Sequence, residues 1–259
     1  TDETKDSNGI YSQLSSLLTY GHKKKPYQKL RMYLEETCSS LNGFAGKNAY
    51  GISMKGLSDN FNELSSHFFN SMITPTIPDK YLALEKKMAI RSLKSQVEDP
   101  VKQCFNTICE ITFKNHPYSM NIIGSEQSLK KLTTKKIKDL HNKNLREKEI
   151  LISYCGDLDL QTVQSQITPF LSSLAPRKKV KNIRKKSRPS WGANIHIPFD
   201  REQTHIFLGI PTKPLIDSSN LILKIITTLY SGQSSELFVN IRDKQGLCYS
   251  ISPISFTAL

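Results

Sequence analysis

The sequence contains no run of about 18 consecutive apolar residues, so it lacks the hydrophobic length that a membrane-spanning helix needs. It is also poor in cysteine: its five cysteines are scattered, odd in number and without the paired short spacing of a cysteine-rich zinc site. With 37% apolar residues over 259 positions, the chain is typical of a globular, soluble protein with enough sequence for two modest domains. The cysteines are interpreted as buried free thiols.

The first eight residues are polar and include acidic residues, which is typical of neither a secretory signal nor a transit peptide. The chain does not begin with methionine, and a targeting segment can therefore lie elsewhere. The localisation is left open between the cytoplasm and a periplasmic or secreted location.

Clustered histidines are absent as well. The six histidines are well separated in sequence: His22, His67, His116, His141, His196 and His205. None of them forms a His-x-x-x-His or His-Glu group of the kind that holds zinc in peptidases. We therefore predict no metal site in this chain and interpret each histidine as a surface or a hydrogen-bonded core residue.

Positive charge is unevenly distributed. The formal net charge is +13, but residues 177–188 hold eight basic residues and no acidic one, which leaves only +5 for the remainder. Proline at 176 and 189 brackets this run, as is typical of a linker. The sequence therefore predicts a first domain at 1–176, a basic linker at 177–190 and a second domain at 191–259. Because the run lacks interleaved aromatic residues, a nucleic-acid adaptor is the least favoured hypothesis.

Apolar residues recur at helical spacing in some segments and alternate in others. Helices are predicted near 11–18, 26–38, 60–72, 79–98, 100–113, 133–140, 160–174, 217–229 and 235–242. Strands are predicted at 41–44, 49–54, 149–154, 195–199, 204–210 and 248–252. Strands mixed with runs of helices favour an α+β fold, with two related domains in which helices cover an antiparallel sheet.

Six segments, taken in order, carry a family resemblance. They are HPY at 116–118, GSEQS at 124–128, GDLD at 156–159, DREQTHI at 200–206, LYSGQSSELF at 229–238 and IRDKQGLCYS at 241–250. The chain resembles the pitrilysin/insulinase family of zinc metallopeptidases, which includes mitochondrial processing peptidase and the core subunits of the respiratory bc1 complex. The resemblance implies the non-catalytic C-terminal half of a two-half member, and we expect both ends to be incomplete.

In active members of this family an inverted zinc motif, His-x-x-Glu-His, precedes a Leu-x-x-Gly turn. Here Leu18-Thr19-Tyr20-Gly21 matches that turn, and the motif falls on Ser12-Gln13-Leu14-Ser15-Ser16. The third ligand, a glutamate in a later helix, falls on Ser92. Serine hydroxyls are weak zinc ligands and none of them can act as the general base. The resemblance therefore implies no cofactor in this chain and a zinc ion in a homologous partner half.

What remains for function is an arginine and a tyrosine. By resemblance, Arg242 and Tyr249 belong to a motif that the non-catalytic half presents to the active site of its partner. Both side chains can donate hydrogen bonds to a peptide carbonyl. We therefore predict a substrate-binding half, inactive alone, of a zinc endopeptidase acting on unfolded peptides. The alternative is a scaffold, like the bc1 core subunits, with no role in proteolysis.

Overall fold

The computed structural model describes residues 3–174, 189–214 and 217–255. The chain forms two compact units, Thr1–Phe207 and Leu208–Leu259. The described residues form nine α-helices: α1 Ile10–Leu17, α2 Tyr27–Glu36, α3 Phe61–Ile73, α4 Asp79–Glu98, α5 Pro100–Thr112, α6 Glu126–Lys131, α7 Thr134–Glu147, α8 Leu160–Ser173 and α9 Ser219–Leu229. They also form four strands: β1 Gly21–His22, β2 Lys25–Pro26, β3 Ser40–Ala45 and β4 Tyr50–Lys55.

The hairpin β3–β4 is the larger of the two sheets in the first unit. Its strands pair antiparallel from Ser40 opposite Lys55 to Ala45 opposite Tyr50. Helix α1 lies directly against β3. The approach is so close that a Cβ atom added to Gly43 would stand only 2.2 Å from the carbonyl oxygen of Ser15. The absence of a side chain at this position therefore allows the helix backbone to approach the sheet.

The core of the first unit lies between α1, the hairpin and the surrounding helices. Its fully buried members are aliphatic: Leu14, Leu17, Leu18, Leu30, Leu129 and Ile137. The cysteines depart from the sequence-based interpretation, since Cys38 and Cys155 are exposed and only Cys109 is buried. The described cysteines are free thiols, as expected.

Side-chain caps fix the starts of the four helices α5 to α8. Asp99 accepts hydrogen bonds from the first backbone amides of α5, and Pro100 occupies its first turn. Ser125 and Ser128 form a reciprocal capping box at α6, and Thr133 caps α7. Asp159 caps α8. These residues explain why the predicted boundaries at 99–100, 133–134 and 159–160 agree with the structure.

Four predicted strands are wrong. Residues 149–154, 195–199, 204–210 and 248–252 form no strand in the described part of the chain. An extended segment becomes a strand only when a neighbour satisfies its backbone amides and carbonyls, and pairing in the described residues is confined to β1–β2, β3–β4 and an isolated bridge. The alternating side chains stay in solvent: Leu151 is 91% exposed and Ile206 is 86% exposed.

The second unit contains α9 and a short π-helix, Phe238–Asp243. Asp217 was predicted to cap α9, but Ser218 is the N-cap residue and makes no side-chain cap, while Asp217 accepts hydrogen bonds from the amide and the hydroxyl of Ser219. None of the residues of α9 is buried. The mixture of helices with small antiparallel sheets is the α+β class predicted from the sequence.

The predicted domain boundaries stay a prediction. The predicted linker, 177–190, lies outside the described residues except for its last two positions. Along the sequence, the boundary between the two compact units falls between Phe207 and Leu208. In the residues that the structure describes, no helix combines the length and the apolar character needed to cross a membrane.

Candidate functional site

Arg242 and Tyr249 lie side by side in the second unit. The π-helix carries Arg242 near its end, and the Gly246 amide donates to the Arg242 carbonyl oxygen at 2.9 Å. Gly246 has a φ of 63°, a left-handed conformation that glycine adopts without strain. This tight turn brings the Tyr249 ring centroid to 4.9 Å from the guanidinium carbon of Arg242.

A second aromatic ring holds the guanidinium from the same helix. The Phe238 ring centroid is 4.5 Å from the guanidinium carbon of Arg242, within the range of a cation–π interaction. Tyr249 is 83% exposed, so its hydroxyl faces solvent. A cation–π contact does not use the N–H donors of the guanidinium, so they stay available for a carbonyl oxygen. The structure thus brings the two predicted site residues together, and their role in substrate binding stays a prediction.

The serines at the three zinc-motif positions lie on α1. The Ser15 hydroxyl, at the position of the general base, donates to the Ser12 carbonyl oxygen at 3.0 Å and is buried. Ser12 and Ser16 are half-buried, and Ser92 is exposed on α4. A hydroxyl that is already bonded to its own helix offers little to a cation.

A small cavity beside Ser12 contains a lysine. The cavity has a volume of about 10 Å³, enough for about one water molecule, and Glu3, Ser12 and Lys47 contribute to its lining. The Lys47 amine donates to the Met120 carbonyl oxygen. Burial lowers the pKa of Lys47, while Cys109 and Glu3 act in the opposite direction.

These residues do not fit a zinc ion. An ammonium group in the cavity repels a divalent cation, and the hydroxyls nearby cannot replace imidazole and carboxylate ligands. Within the described ranges no group of three or more His, Cys, Asp or Glu side chains could hold a metal ion. The α1 serines and the cavity beside them therefore provide no ligand set for zinc.

Sequence reasoning missed one cluster of titratable residues, around His22 and His67. His22 Nε2 lies 3.2 Å from His67 Nδ1, and both rings are buried. On the far side of His67, Nε2 lies 2.9 Å from Lys25 Nζ and 3.3 Å from a Glu63 oxygen. The two histidines are 45 positions apart, so no sequence spacing indicated the contact.

Burial sets the electrostatics of this cluster. Desolvation lowers the pKa of His22 to about 4, with smaller contributions from His67, Lys24 and Lys25. Desolvation also lowers the pKa of His67, and the Lys25 charge adds to the effect. Both imidazoles are therefore neutral at pH 7. The ammonium of Lys25 beside them opposes metal binding, so the pair is interpreted as a structural contact of β1 with α3.

Fold and site together define a class of protein: an α+β chain in which serines stand at the positions that, by the resemblance, hold zinc in active metallopeptidases. The family model of the peptidase M16 inactive domain matches residues 131–258. Over these residues the chain is similar to the peptidase M16 family, which confirms the pitrilysin/insulinase-type resemblance found in the sequence.

Relatives and solved structures agree with this assignment. An uncharacterized zinc protease of Streptomyces coelicolor is 23% identical over 263 residues, covering 96% of this chain and 56% of the relative. One of Rickettsia felis is 21% identical over 257 residues, covering 98% of this chain and 62% of the relative. The chain thus spans about three-fifths of the length of these relatives.

Two crystal structures have the same fold. A peptidase M16 inactive domain from Pseudomonas fluorescens superposes with a TM-score of 0.74 at 17% identity, over 95% of this chain and 61% of that one. A protease from Helicobacter pylori superposes with a TM-score of 0.72 at 15% identity, over 94% of this chain and 60% of that one. They confirm the predicted α+β fold class.

Proposed function

We propose that this chain is the non-catalytic, substrate-binding half of a zinc-dependent endopeptidase that acts on unfolded peptides. Its partner is a homologous half that carries the zinc ion, either in the same polypeptide or as a separate subunit. The chain itself supplies binding surface and polar contacts, and the hydrolytic step takes place on the partner.

The observation that carries this proposal is the chemistry of the α1 surface. Serine occupies both histidine positions and the general-base position, and the Lys47 ammonium lies in the adjoining cavity. Water cannot be polarised there by a metal, because ligands and base are both missing. Similarity to a peptidase family then favours assistance to another half over independent catalysis.

The proposed assistance comes from Arg242 and Tyr249. A guanidinium and a phenol can both donate to a substrate carbonyl oxygen, and donors matter most where negative charge develops on the tetrahedral intermediate. Phe238 supports this role because its ring restricts the Arg242 side chain before substrate arrives. Less conformational entropy is then lost on binding.

The first experiment separates binding from catalysis. The chain is expressed alone and together with a zinc-carrying homologous half, and cleavage of an unstructured fluorogenic peptide is followed with and without a chelator. We expect cleavage only in the combined sample, with complete loss on chelation. Chelator-sensitive cleavage by this chain alone, at a rate comparable to the combined sample, would overturn the proposal.

The second experiment tests the two donors in the assembled peptidase. Tyr249→Phe and Arg242→Lys are each expected to lower kcat/KM about tenfold or more, since each removes or misplaces one donor. Lys244→Gln is the matched control, because Lys244 lies on the same turn and, among the described contacts, its side chain is bonded only to Asn240, at 3.0 Å. Unchanged turnover in both variants would favour the scaffold alternative.

A further inference from the structure

Within the described residues, positive charge is concentrated in one part of the chain. Residues 80–148 contain 15 Lys and Arg against 7 Asp and Glu, a net charge of +8. Residues 1–79 are neutral, with eight of each sign, and so are residues 189–259, with five of each sign. The segment 80–148 runs from the start of α4 to the end of α7, so helices carry this excess.

Helix α4 has one outward face that combines charge with apolar side chains. The helix buries Leu82 and Ala89 on its inner side. The opposite side, here named the α4 face, consists of Leu84, Lys87, Met88, Arg91 and Lys94. Their spacing of three and four residues places them on neighbouring turns of one surface.

Two exposed aliphatic side chains lie within this basic surface. Leu84 is 45% exposed and Met88 is 52% exposed, one helical turn apart. Lys87, Arg91 and Lys94 are all exposed around them. A surface of this composition can bind both apolar side chains and negative charge.

Two carboxylates near the α4 face are already engaged, and a third, Glu98, is exposed at the end of the helix. Glu85 accepts a hydrogen bond from the Tyr20 hydroxyl at 2.6 Å. Glu126 on α6 pairs with Lys130 at 2.7 Å. Within the described part of the chain, the Lys87 and Arg91 side chains make no ion pair or hydrogen bond. Their charge is therefore available to a partner.

We infer that the α4 face binds acidic, partly apolar segments of unfolded peptides, and that it gives the protein a preference for negatively charged substrates. This inference rests on the proposed function and adds the class of substrate. Charge complementarity brings the acidic residues of the peptide to Lys87 and Arg91, while Leu84 and Met88 contact its aliphatic side chains.

A peptide fits this face better than a nucleic acid does. The two aliphatic side chains gain nothing from a phosphate backbone, and no aromatic ring on the α4 face is available to stack on a base. Lysine and arginine would still attract phosphates, so nucleic acid is one outcome that the test distinguishes.

The test compares two short unstructured peptides that differ only in glutamate against lysine. Their binding to the 259-residue chain is measured by fluorescence anisotropy at about 0.05 M and about 0.5 M salt. We expect the acidic peptide to bind at least about tenfold more tightly at low salt, with a smaller ratio at high salt. Charge-independent binding of both peptides overturns this inference and leaves the proposed function in place. Failure of both to bind overturns both.

Variants locate the preference on the α4 face. The double variant Lys87→Glu/Arg91→Glu is expected to abolish the tenfold ratio of affinities. The double variant Lys87→Gln/Arg91→Gln is expected to reduce it, and this milder change keeps the test valid if the charge reversal prevents folding. Lys23→Glu with Lys55→Glu is the matched control, since both lysines are exposed on other elements. An equal loss in this control, or a single-stranded oligonucleotide that displaces the acidic peptide and binds more tightly, overturns the assignment.

Discussion

The two compact units use amphipathic helices to different effect. In the first unit, Leu14 and Leu17 of α1 are completely buried in the core that also contains Leu41 and Ile52 of the hairpin. In the second unit, Leu221 and Leu229 of α9 are about two-thirds exposed, at 68% and 67%. Both helices have an apolar stripe, but only α1 has it covered. A hydrophobic pattern in the sequence thus shows which face a helix can bury and leaves open whether that face is covered.

This difference predicts unequal local stability. Burial of apolar area is the main stabilising contribution to a fold, and segments with few buried contacts open at low free energy. The first unit should therefore determine the cooperative unfolding of the chain. The second unit should exchange its amide hydrogens quickly at α9.

The largest expected effect comes from one pair of matched substitutions. Leu14→Ala removes a fully buried side chain and should lower the free energy of unfolding by about 2–5 kcal/mol. Leu221→Ala shortens a side chain that is mostly in solvent. It should change the free energy of unfolding by less than about 0.5 kcal/mol. Urea unfolding followed by circular dichroism measures both. Similar losses in the two variants would contradict the comparison.

The next effect concerns the approach of α1 to the sheet. Gly43→Ala would place a Cβ atom 2.2 Å from the Ser15 carbonyl oxygen, so the helix or the strand must shift. We expect a loss of about 3 kcal/mol, at the upper end for overpacked cores. Gly46→Ala is the control, because its Cβ would meet the Ala49 oxygen only at 3.6 Å. If Gly43→Ala unfolds at the same urea concentration as the control, then α1 does not pack closely against β3 at this position.

Local chemistry explains what the sequence predicted correctly. Asp99 and Thr133 determine helix starts through side-chain hydrogen bonds to the backbone amides that follow them, and the hairpin follows from two short alternating runs. The strands at 149–154 and 204–210 were wrong, because pairing depends on a neighbouring chain that alternation cannot reveal. Local rules therefore predicted boundaries well and pairing badly.

The same division applies to the site. Arg242 and Tyr249 are seven positions apart on either side of a tight turn, so their proximity was predictable from the sequence. The His22 and His67 contact depends on how β1 meets α3, and Lys47 reaches the Ser12 cavity from the loop between β3 and β4. Such contacts are set by tertiary packing, and no motif in the sequence indicated them.

A pH dependence of stability should be confined mainly to the first unit. The pKa of His22 is lowered to about 4, against about 6.5 for an unfolded histidine. Between these values the unfolded chain binds a proton that the folded chain does not, so stability falls as the pH drops from about 6.5 towards about 4. We expect His22 to contribute on the order of 2 kcal/mol to this fall.

Urea unfolding at about pH 7 and about pH 4.5 measures the effect. His22→Gln should reduce the difference between the two pH values, while the lowered pKa values of His67 and His141 leave part of it in place. In the second unit, the rate of amide hydrogen exchange at α9 should differ little between the two pH values once the pH dependence of the intrinsic exchange rate is corrected for. A pH dependence that is unaffected by His22→Gln would exclude this histidine as its source.

The smallest effect compares one buried serine in each unit. The Ser128 hydroxyl donates to the Asn8 carbonyl oxygen at 2.8 Å and accepts from the Ser125 amide at 2.9 Å, so it ties the N-terminal segment to α6. Ser128→Ala should therefore cost about 1 kcal/mol, as the loss of a helix cap does. Ser235 is also buried but only accepts from the Phe238 amide at 3.3 Å. Because α9 and its surroundings contribute little to global unfolding, Ser235→Ala should lower the free energy of unfolding by less than half as much. Equal losses in the two variants would show that the second unit unfolds together with the first.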